Sequence, residues 1–144
     1  MYYRLAERKD YPVLVELWEN SVRASHAFLN EKDLLEIKKE LPDYFPQVTL
    51  KLWYDYDQLI GFSGTSDYSL EMLFLAPQHR QKGLGSQIIK QLIQKDGVYS
   101  VDVNSQNESG LHFYLKQGFT ITGESPIDGQ GRAYPLTHLS LKNR

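Results

Sequence analysis

The sequence contains no cysteine among its 144 residues. This absence excludes disulfide bonds, covalent thiol catalysis and cysteine-based metal sites, and it is compatible with a reducing cytosol. No run of residues approaches the roughly 18 consecutive apolar side chains that a membrane-spanning helix needs. The N-terminal residues MYYRL lack the apolar centre of a secretion signal. These absences favour a soluble, cytoplasmic protein.

A strong charge of one sign is also absent, because 16 lysines and arginines face 18 acidic residues and the net charge is −2. Proteins that bind nucleic acids or anionic membranes normally carry a basic patch or run. The most basic stretch, residues 79–82 (HRQK), is too short for a polyanion and suits one small anionic ligand. We therefore expect neither a nucleic acid nor a membrane as a partner.

The histidines show no metal-ligand spacing, and no cluster of carboxylates accompanies them. They are His26, His79, His112 and His138. We therefore expect no metal cofactor. The chain is long enough to bury a core without disulfide bonds, and it has no repeat, low-complexity tract or linker. The prediction is a single domain over residues 1–144.

Hydrophobic periodicity and turn residues predict that strands and helices are interspersed along the chain. Predicted strands cover residues 2–6, 48–53, 58–63, 68–76, 98–104, 119–123 and 136–141. Predicted helices run from a cap at Asp10 through Val22, from Asn30 or Glu31 to residues 42–46, from Leu84 to Gly97, and over residues 108–117. The short turns of residues 48–76 predict an antiparallel meander. The strand, helix and strand that follow predict a parallel pair with a right-handed crossover, and the whole pattern is a mixed α/β fold.

Residues 70–93 carry the most specific pattern, an apolar strand, a glycine-bearing turn and an amphipathic helix. Arg80, Gly83 and Gly85 form an Arg-x-x-Gly-x-Gly motif at the start of that helix. The first amides of a helix lack internal partners, so this turn is suited to an anion such as a pyrophosphate. Glycines also occur in such turns for backbone reasons alone. A Walker-type phosphate loop is excluded, and Ile88 stands where a dinucleotide fingerprint needs glycine or alanine.

A second motif follows the next predicted strand and consists of Asn104, Asn107, Gly110 and the run FYLKQGF at residues 113–119. Together, the two motifs resemble those of the GNAT superfamily of N-acetyltransferases. The resemblance implies an α+β fold whose six- to seven-stranded sheet is mostly antiparallel, with a splayed parallel pair at its centre and about four helices around it. It also implies acetyl-CoA as co-substrate and an amine as acceptor.

The resemblance further implies where the cofactor lies. Splayed strands expose unpaired backbone groups, and an extended amide-bearing ligand such as pantetheine can pair with them. The pyrophosphate would meet the amides of residues 81–86, with charge from Arg80 or Lys82. The predicted cofactor-binding residues are Leu73, Phe74, Leu75, Arg80, Gln81, Lys82, Gly83, Leu84, Gly85, Ser86, Asn104, Asn107 and Gly110.

Two residues are candidates for the chemistry. By resemblance, Tyr114 protonates the departing thiolate, and a phenol with an ordinary pKa of about 10 keeps its proton at pH 7. The alternative is a core tyrosine with a satisfied hydroxyl. Glu71 is the candidate base, alone or through water, because alternation puts residues 71, 73 and 75 of an apolar strand on one face. The alternative for Glu71 is a solvent-facing charge or a buried ion pair.

The acceptor amine is less well defined. By resemblance, His26 and Phe28 are candidate substrate contacts, with a loop anchored by a phenylalanine as the alternative. The flanking segments 23–31 and 125–134 carry few charges, and their mixed aromatic and polar character favours a small-molecule acceptor. The alternatives are a lysine or N-terminal amine of a protein, a non-catalytic acyl-CoA sensor, and an unrelated nucleotide-binding domain. Either a monomer or a homodimer is compatible with the sequence.

Overall fold

The computed structural model describes residues 1–141. The strands are β1 (Tyr2–Leu5), β2 (Thr49–Asp55), β3 (Gln58–Ser66), β4 (Ser69–Leu75), β5 (Ser100–Asn104), β6 (Phe119–Ser125) and β7 (Leu136–Leu141). The α-helices are α1 (Tyr11–Ser25), α2 (Glu31–Tyr44), α3 (Leu84–Asp96) and α4 (Glu108–Lys116). Within this part of the chain, no helix is long and apolar enough to cross a bilayer.

The strands form one sheet in the order β1-β2-β3-β4-β5-β7-β6. Every neighbouring pair is antiparallel except β4 and β5, which are parallel. The crossover between these two parallel strands contains α3. The predicted fold is confirmed: a mixed α/β architecture with a mostly antiparallel sheet, a parallel central pair and four α-helices.

Two apolar clusters cover the two faces of the sheet. One joins α3 and α4 to the sheet and contains Ile88, Leu92 and Val101. The other joins α1 and α2 to the opposite face and contains Leu14, Leu34 and others. Side chains alternate along a strand, so neighbouring residues of β5 point to different layers. Val101 and Val103 point towards α3 and α4, and residue 102 points towards the layer of α1 and α2.

Helix α3 begins and ends at glycines in the left-handed region. Gly83, with φ of 77°, precedes the first helical residue, and Gly97, with φ of 71°, follows the last. Glycine adopts positive φ without the steric cost that a Cβ imposes. Ile88, Ile89 and Leu92 are buried along one stripe of the helix. The predicted helix is therefore found with its predicted boundaries.

Strands β4 and β5 pair over a short distance only. Their register is Ser69 with Ser100 and Leu70 with Val101, and no further pair follows. Beyond these residues the facing edges of the two strands have no partner strand in the described structure. This separation is the splayed parallel pair that the resemblance implies.

A bulge in β4 begins where the strands part. On the β3 side, Thr65 pairs with Leu70 and Gly64 with Met72, so Glu71 is an extra residue. Because of this extra residue, Glu71 and Leu73 lie on opposite faces of the sheet. Leu73 and Leu75 pack towards α3, whereas Glu71 contacts Tyr44 of α2. The expectation that residues 71, 73 and 75 share one face is therefore wrong, because simple alternation does not include the extra residue.

The helix cap predicted at Asp10 is not formed. Asp10 precedes α1, but its side chain does not cap that helix. Its carboxylate instead accepts two hydrogen bonds of 2.8 Å from Arg4 and one of 2.7 Å from the backbone N–H of Glu7. The carboxylate thus joins the edge strand β1 to the start of α1, a contact that no local pattern specifies.

Candidate active site

A cleft of about 550 Å³ opens where β4 and β5 separate. It brings together most of the residues that the sequence analysis selects. They are His26, Glu71, Leu73, Phe74, Leu75, Arg80, Gln81, Gly83, Gly85, Ser86, Asn104, Asn107, Gly110 and Tyr114. Three selected residues are not in the lining: Lys82 is exposed, Leu84 is buried in the core, and Phe28 packs behind His26.

One end of the cleft is the start of α3. No side chain caps this helix, so its first-turn amides keep their donor capacity. A Cβ built on Gly83 would meet nothing within 4 Å, which shows open space in front of the turn. The Ser86 hydroxyl accepts a hydrogen bond of 2.8 Å from Gln117, the residue that follows α4. These features fit a pyrophosphate bound by backbone amides, and a role for residues 82 and 84 would come through their N–H groups.

Arg80 extends from this turn to the end of α1. Its guanidinium donates to the Ser21 carbonyl at 3.1 Å, to the Ser21 hydroxyl at 2.7 Å and to the Ser25 hydroxyl at 3.1 Å. No ion pair of Arg80 with a carboxylate is found within residues 1–141. The guanidinium therefore keeps an uncompensated positive charge beside the cleft, which favours an anionic ligand.

The opposite wall comes from β5 and the start of α4. The Asn107 side chain caps α4 by accepting a hydrogen bond of 3.1 Å from the N–H of Gly110. A Cβ on Gly110 would come within 2.4 Å of the Asn107 side chain, so a larger residue there would displace the side chain that caps the helix. Asn104 accepts a 2.8 Å bond from the N–H of Gln106. These residues build the turn that aims α4, and thereby Tyr114, at the cleft.

Tyr114 reaches the cleft from the α4 side of the sheet. Its ring is buried at 8 % exposure, between Phe113 and Phe119 in edge-on contacts of 4.9 and 5.8 Å. Its hydroxyl makes no hydrogen bond to any described residue, although the side chain lines the cleft. Burial raises the pKa of this phenol above its ordinary value, so it stays protonated at neutral pH. No fully buried side-chain nitrogen or oxygen atom of residues 1–141 lacks a hydrogen-bond partner, so this hydroxyl is not sealed in the core and is available to a ligand in the cleft.

Glu71 reaches the same cleft from the α2 side. The Tyr44 hydroxyl lies 3.5 Å from its carboxylate. Burial raises the pKa of Glu71, and the nearby negative charge of Asp102 raises it further. A carboxyl in such surroundings binds a proton or a cation more readily than an exposed one does.

An aromatic wall closes the side formed by the loop after α1. The ring of His26 lies 5.1 Å from that of Phe28 and 6.5 Å from that of Phe74, and Phe28 lies 6.4 Å from Tyr134. Burial and the charge of Arg80 lower the pKa of His26 to about 4. The imidazole is therefore neutral at pH 7. It adds an uncharged ring to the aromatic wall and keeps its ability to form hydrogen bonds.

Among the cleft residues that the sequence analysis does not select for this site, four are polar: Ser21, Ser25, Asp102 and Ser109. Alternation in the predicted strand 98–104 already puts Asp102 on one face with Ser100 and Asn104. Alternation does not show which strand pairs with this one, because the partner, β7, lies more than thirty residues further along the chain. Ser21 and Ser25 carry no local signal beyond helical spacing.

A sequence model of the acetyltransferase (GNAT) domain family matches residues 49–121, which include β4, α3, β5 and α4. The chain belongs to the GNAT acetyltransferase family. The matched part contains both sequence motifs and both strands that border the cleft. The predicted enzyme class, an acyltransferase, agrees with this membership.

Named relatives cover nearly the whole chain. Peptidyl-lysine N-acetyltransferase YjaB of Salmonella typhimurium is 30% identical over 139 residues, with 94% of each chain covered. The apo-form structure of Escherichia coli YjaB superimposes with a TM-score of 0.88 at 30% identity, covering 99% of this chain and 98% of that one. The structure of yncA from Salmonella typhimurium with its cofactor acetyl-CoA has a TM-score of 0.66 at 21% identity, covering 100% and 95%. That last likeness is one of fold.

The residues present fit acetyl-CoA. The uncapped start of α3 and the unpaired charge of Arg80 suit its phosphates, and the unpaired strand edges suit its amide-bearing arm. No group of histidine, aspartate and glutamate side chains arranged to hold a metal ion is found in residues 1–141.

Proposed function

We propose that the protein transfers the acetyl group of acetyl-CoA to the ε-amine of a lysine in a protein, through the cleft between β4 and β5. The observation that carries the proposal is Tyr114 in the wall of the cleft: its ring is buried, its raised pKa keeps the phenol protonated, and its hydroxyl makes no hydrogen bond to any described residue. Membership of the family supports acetyl transfer. The name of the Salmonella relative supports lysine as the acceptor.

The binding roles follow from the two ends of the cleft. Backbone amides of residues 81–86 bind the pyrophosphate, and Arg80 adds positive charge. The unpaired edge of β4 at residues 73–75 pairs with the pantetheine amides, and Asn104, Asn107 and Gly110 border the other side. Acetyl-CoA supplies the acyl group as a thioester, an activated electrophile with a thiolate leaving group.

The chemistry is divided between the two faces of the sheet. Tyr114 approaches from the face of α3 and α4 and holds a proton at its phenol oxygen for the leaving group. Glu71 approaches from the face of α1 and α2, where its carboxylate attracts the ammonium of the acceptor and takes up a proton directly or through water. Acid and carboxylate therefore lie on opposite sides of the reacting atoms.

A lysine acceptor makes a proton-accepting group important. Deprotonating an amine with pKa of about 10.4 at pH 7 costs roughly 4.6 kcal/mol, whereas an α-amine with pKa near 8 costs only about 1.4 kcal/mol. The sparse charge of the flanking loops favours a small molecule. The carboxylate of Glu71 beside the cleft and the name of the relative favour lysine instead. His26 and Phe28 would then contact the aliphatic part of the acceptor.

The test is release of coenzyme A from acetyl-CoA with four acceptor classes: lysine peptides, N-terminal peptides, polyamines and amino acids. We expect release to depend on the lysine peptide. The Tyr114→Phe variant should lower kcat by about 100-fold, because general acid catalysis contributes about 10²–10⁴ in rate. Its affinity for acetyl-CoA should change little. Tyr56→Phe is the matched control, since Tyr56 is 87% exposed at a hairpin tip.

The same assay separates the proposal from its rivals. Release that depends on a small amine but on no peptide would replace lysine as the acceptor class. Tight acetyl-CoA binding without release for any acceptor would favour a non-catalytic acyl-CoA sensor. Full activity of Tyr114→Phe would remove that residue from the mechanism.

A further inference from the structure

A chain of three polar side chains crosses β5, β7 and β6 beside the cleft. Asp102 pairs with His138 in the register of β5 and β7, and Oδ1 of Asp102 lies 2.6 Å from Nδ1 of His138. Nε2 of the same imidazole lies 2.6 Å from Oγ of Ser125. The roles described so far use none of these three residues, although Asp102 lines the cleft.

The chemistry of the groups assigns their hydrogen atoms. An ionised carboxylate can only accept hydrogen bonds, so Nδ1 of His138 carries the proton and donates to Asp102. In the neutral imidazole Nε2 then accepts from the Ser125 hydroxyl. Both ring nitrogens are thus occupied, and His138 has no free nitrogen to offer a substrate.

The orientation of the chain decides which of its members can act. A serine nucleophile would need its hydroxyl in the cleft, with the carboxylate behind the imidazole. Here the order is reversed, because Asp102 lines the cleft and Ser125 does not. The second oxygen of Asp102, Oδ2, receives no hydrogen bond from any described residue. The imidazole therefore holds the carboxylate in position with that oxygen free.

Asp102 stands at the point where the strands separate. Leu70 and Val101 form the last pair of β4 and β5, and Glu71 and Asp102 are the next residues on each strand. Both carboxylates face the layer of α1 and α2, opposite the face from which Tyr114 enters. The Glu71 carboxylate has a long contact with the Tyr44 hydroxyl, at 3.5 Å, and a further one with the Ser69 side chain, whereas Asp102 is held by a bond of 2.6 Å.

We propose that Asp102 is a further catalytic residue, the general base that accepts the proton of the acceptor ammonium, and that His138 and Ser125 are positioning residues that orient it. In this step an N–H bond of the ammonium breaks and an O–H bond forms at Oδ2, while the electron pair stays on the nitrogen. The proton then passes to solvent, to which the Asp102 side chain is 55% exposed. Of the two routes proposed above for Glu71, only the one through water remains: Asp102 takes the proton directly, and Glu71 adds negative charge beside it. The inference rests on the proposed acetyl transfer to an amine in this cleft.

The test compares two peptides that differ only at the acceptor. One carries the lysine ε-amine, and the other an aminooxy group, which is neutral at pH 7 and needs no base before it reacts. For Asp102→Asn we expect kcat/KM with the lysine peptide to fall about 100-fold. The fall with the aminooxy peptide should be less than about fivefold, and KM for acetyl-CoA should be unchanged. Glu124→Gln, an exposed carboxylate of β6 outside the cleft, is the control.

The positioning role has its own variants. His138→Asn keeps an N–H donor near the position of Nδ1, whereas His138→Leu removes it. We expect His138→Leu to lose about tenfold in kcat with the lysine peptide only, and His138→Asn to recover most of that loss. Equal losses with both peptides would mean a merely structural role for the chain.

Two further results would overturn the inference: full activity of Asp102→Asn, or a lysine-specific loss in Glu71→Gln without one in Asp102→Asn. The activity of the unmodified protein with either peptide reports separately on the proposed function. Failure of acetyl transfer itself is thereby distinguished from failure of the base assignment.

Discussion

At the scale of single residues, the cleft depends on groups whose ordinary partners are missing. Tyr114 has a hydroxyl without a hydrogen bond to any described residue, and Arg80 has a guanidinium without a carboxylate partner in residues 1–141. Neither is a buried unsatisfied group, because Arg80 donates to Ser21 and Ser25 and no fully buried side-chain polar atom of residues 1–141 lacks a partner; both groups keep a capacity to bind a ligand. A ligand with phosphates and a sulfur leaving group would satisfy them.

Gly83 provides a prediction at this scale. Its φ of 77° disfavours any side chain, but Asn and Asp tolerate this region better than other residues and have nearly the same size. We expect Gly83→Asp to weaken acetyl-CoA binding at least about tenfold more than Gly83→Asn, because the carboxylate would face the phosphates. Isothermal titration at low and high salt measures both values. Equal affinities in the two variants would move the pyrophosphate away from this turn.

At the scale of elements, the loop between β6 and β7 is held against α2. The Arg132 guanidinium lies 3.1 Å from Glu40, 3.5 Å from Glu36 and 3.8 Å from Asp33, and its side chain is only 14% exposed. The Tyr134 hydroxyl donates to Asp33 at 2.6 Å. These contacts fix the aromatic wall that Tyr134 shares with Phe28 on the acceptor side of the cleft.

Arg132→Ala should therefore affect the acceptor more than the cofactor. We expect KM for the acceptor to rise about three- to tenfold, as loss of a partly buried ion-pair network typically costs about 1 kcal/mol. KM for acetyl-CoA should stay the same. Lys38→Ala is the control, because it removes an ion pair of α2 with Glu19 away from this loop. Equal changes in both constants would indicate a general loss of stability instead.

At the scale of the whole molecule, Arg4 and Asp10 join the edge strand to the first helix. The hydrogen bonds from Arg4 lower the pKa of Asp10 to about 2, from an ordinary value of 3.8. A lowered carboxyl pKa means that the folded state favours the ionised form. The contribution to stability is complete above the ordinary pKa and disappears as the pH falls from about 4 to about 2.

Asp10→Asn should reduce the free energy of unfolding at pH 7 by about 1–2 kcal/mol, given hydrogen bonds to a charged group and partial exposure of Arg4. At pH 2 the difference between the variant and the unmodified protein should largely vanish. Urea denaturation at both pH values measures the effect. A difference that persists at pH 2 would assign the loss to packing instead of charge. Glu124→Gln, an exposed carboxylate of β6 outside this contact, is the control.

Much of this architecture was predictable because its signals are local. The meander of β2, β3 and β4 follows from short turns, and α3 follows from an apolar stripe between Gly83 and Gly97. The two motifs also identify most of the predicted residues that line the cleft, because each motif lies within one continuous segment of strand, turn and helix. The cap at Asp10 and the face of Glu71 were predicted wrongly: Asp10 binds Arg4 of strand β1 instead of capping α1, and a bulge in β4 changes the direction of the Glu71 side chain.

The sequence by itself determined the order of elements, the glycine turn at the start of α3 and the family, because these depend on residues close together in the chain. Only the tertiary structure decided that β7 lies beside β5, and with it that His138 meets Asp102. Only the tertiary structure decided that Arg80 reaches α1 and that a bulge turns Glu71 towards α2. Strand register and bulges arise from pairing between segments that are far apart in the chain. Such pairing produces no periodic pattern in the local sequence, so the sequence alone does not predict it.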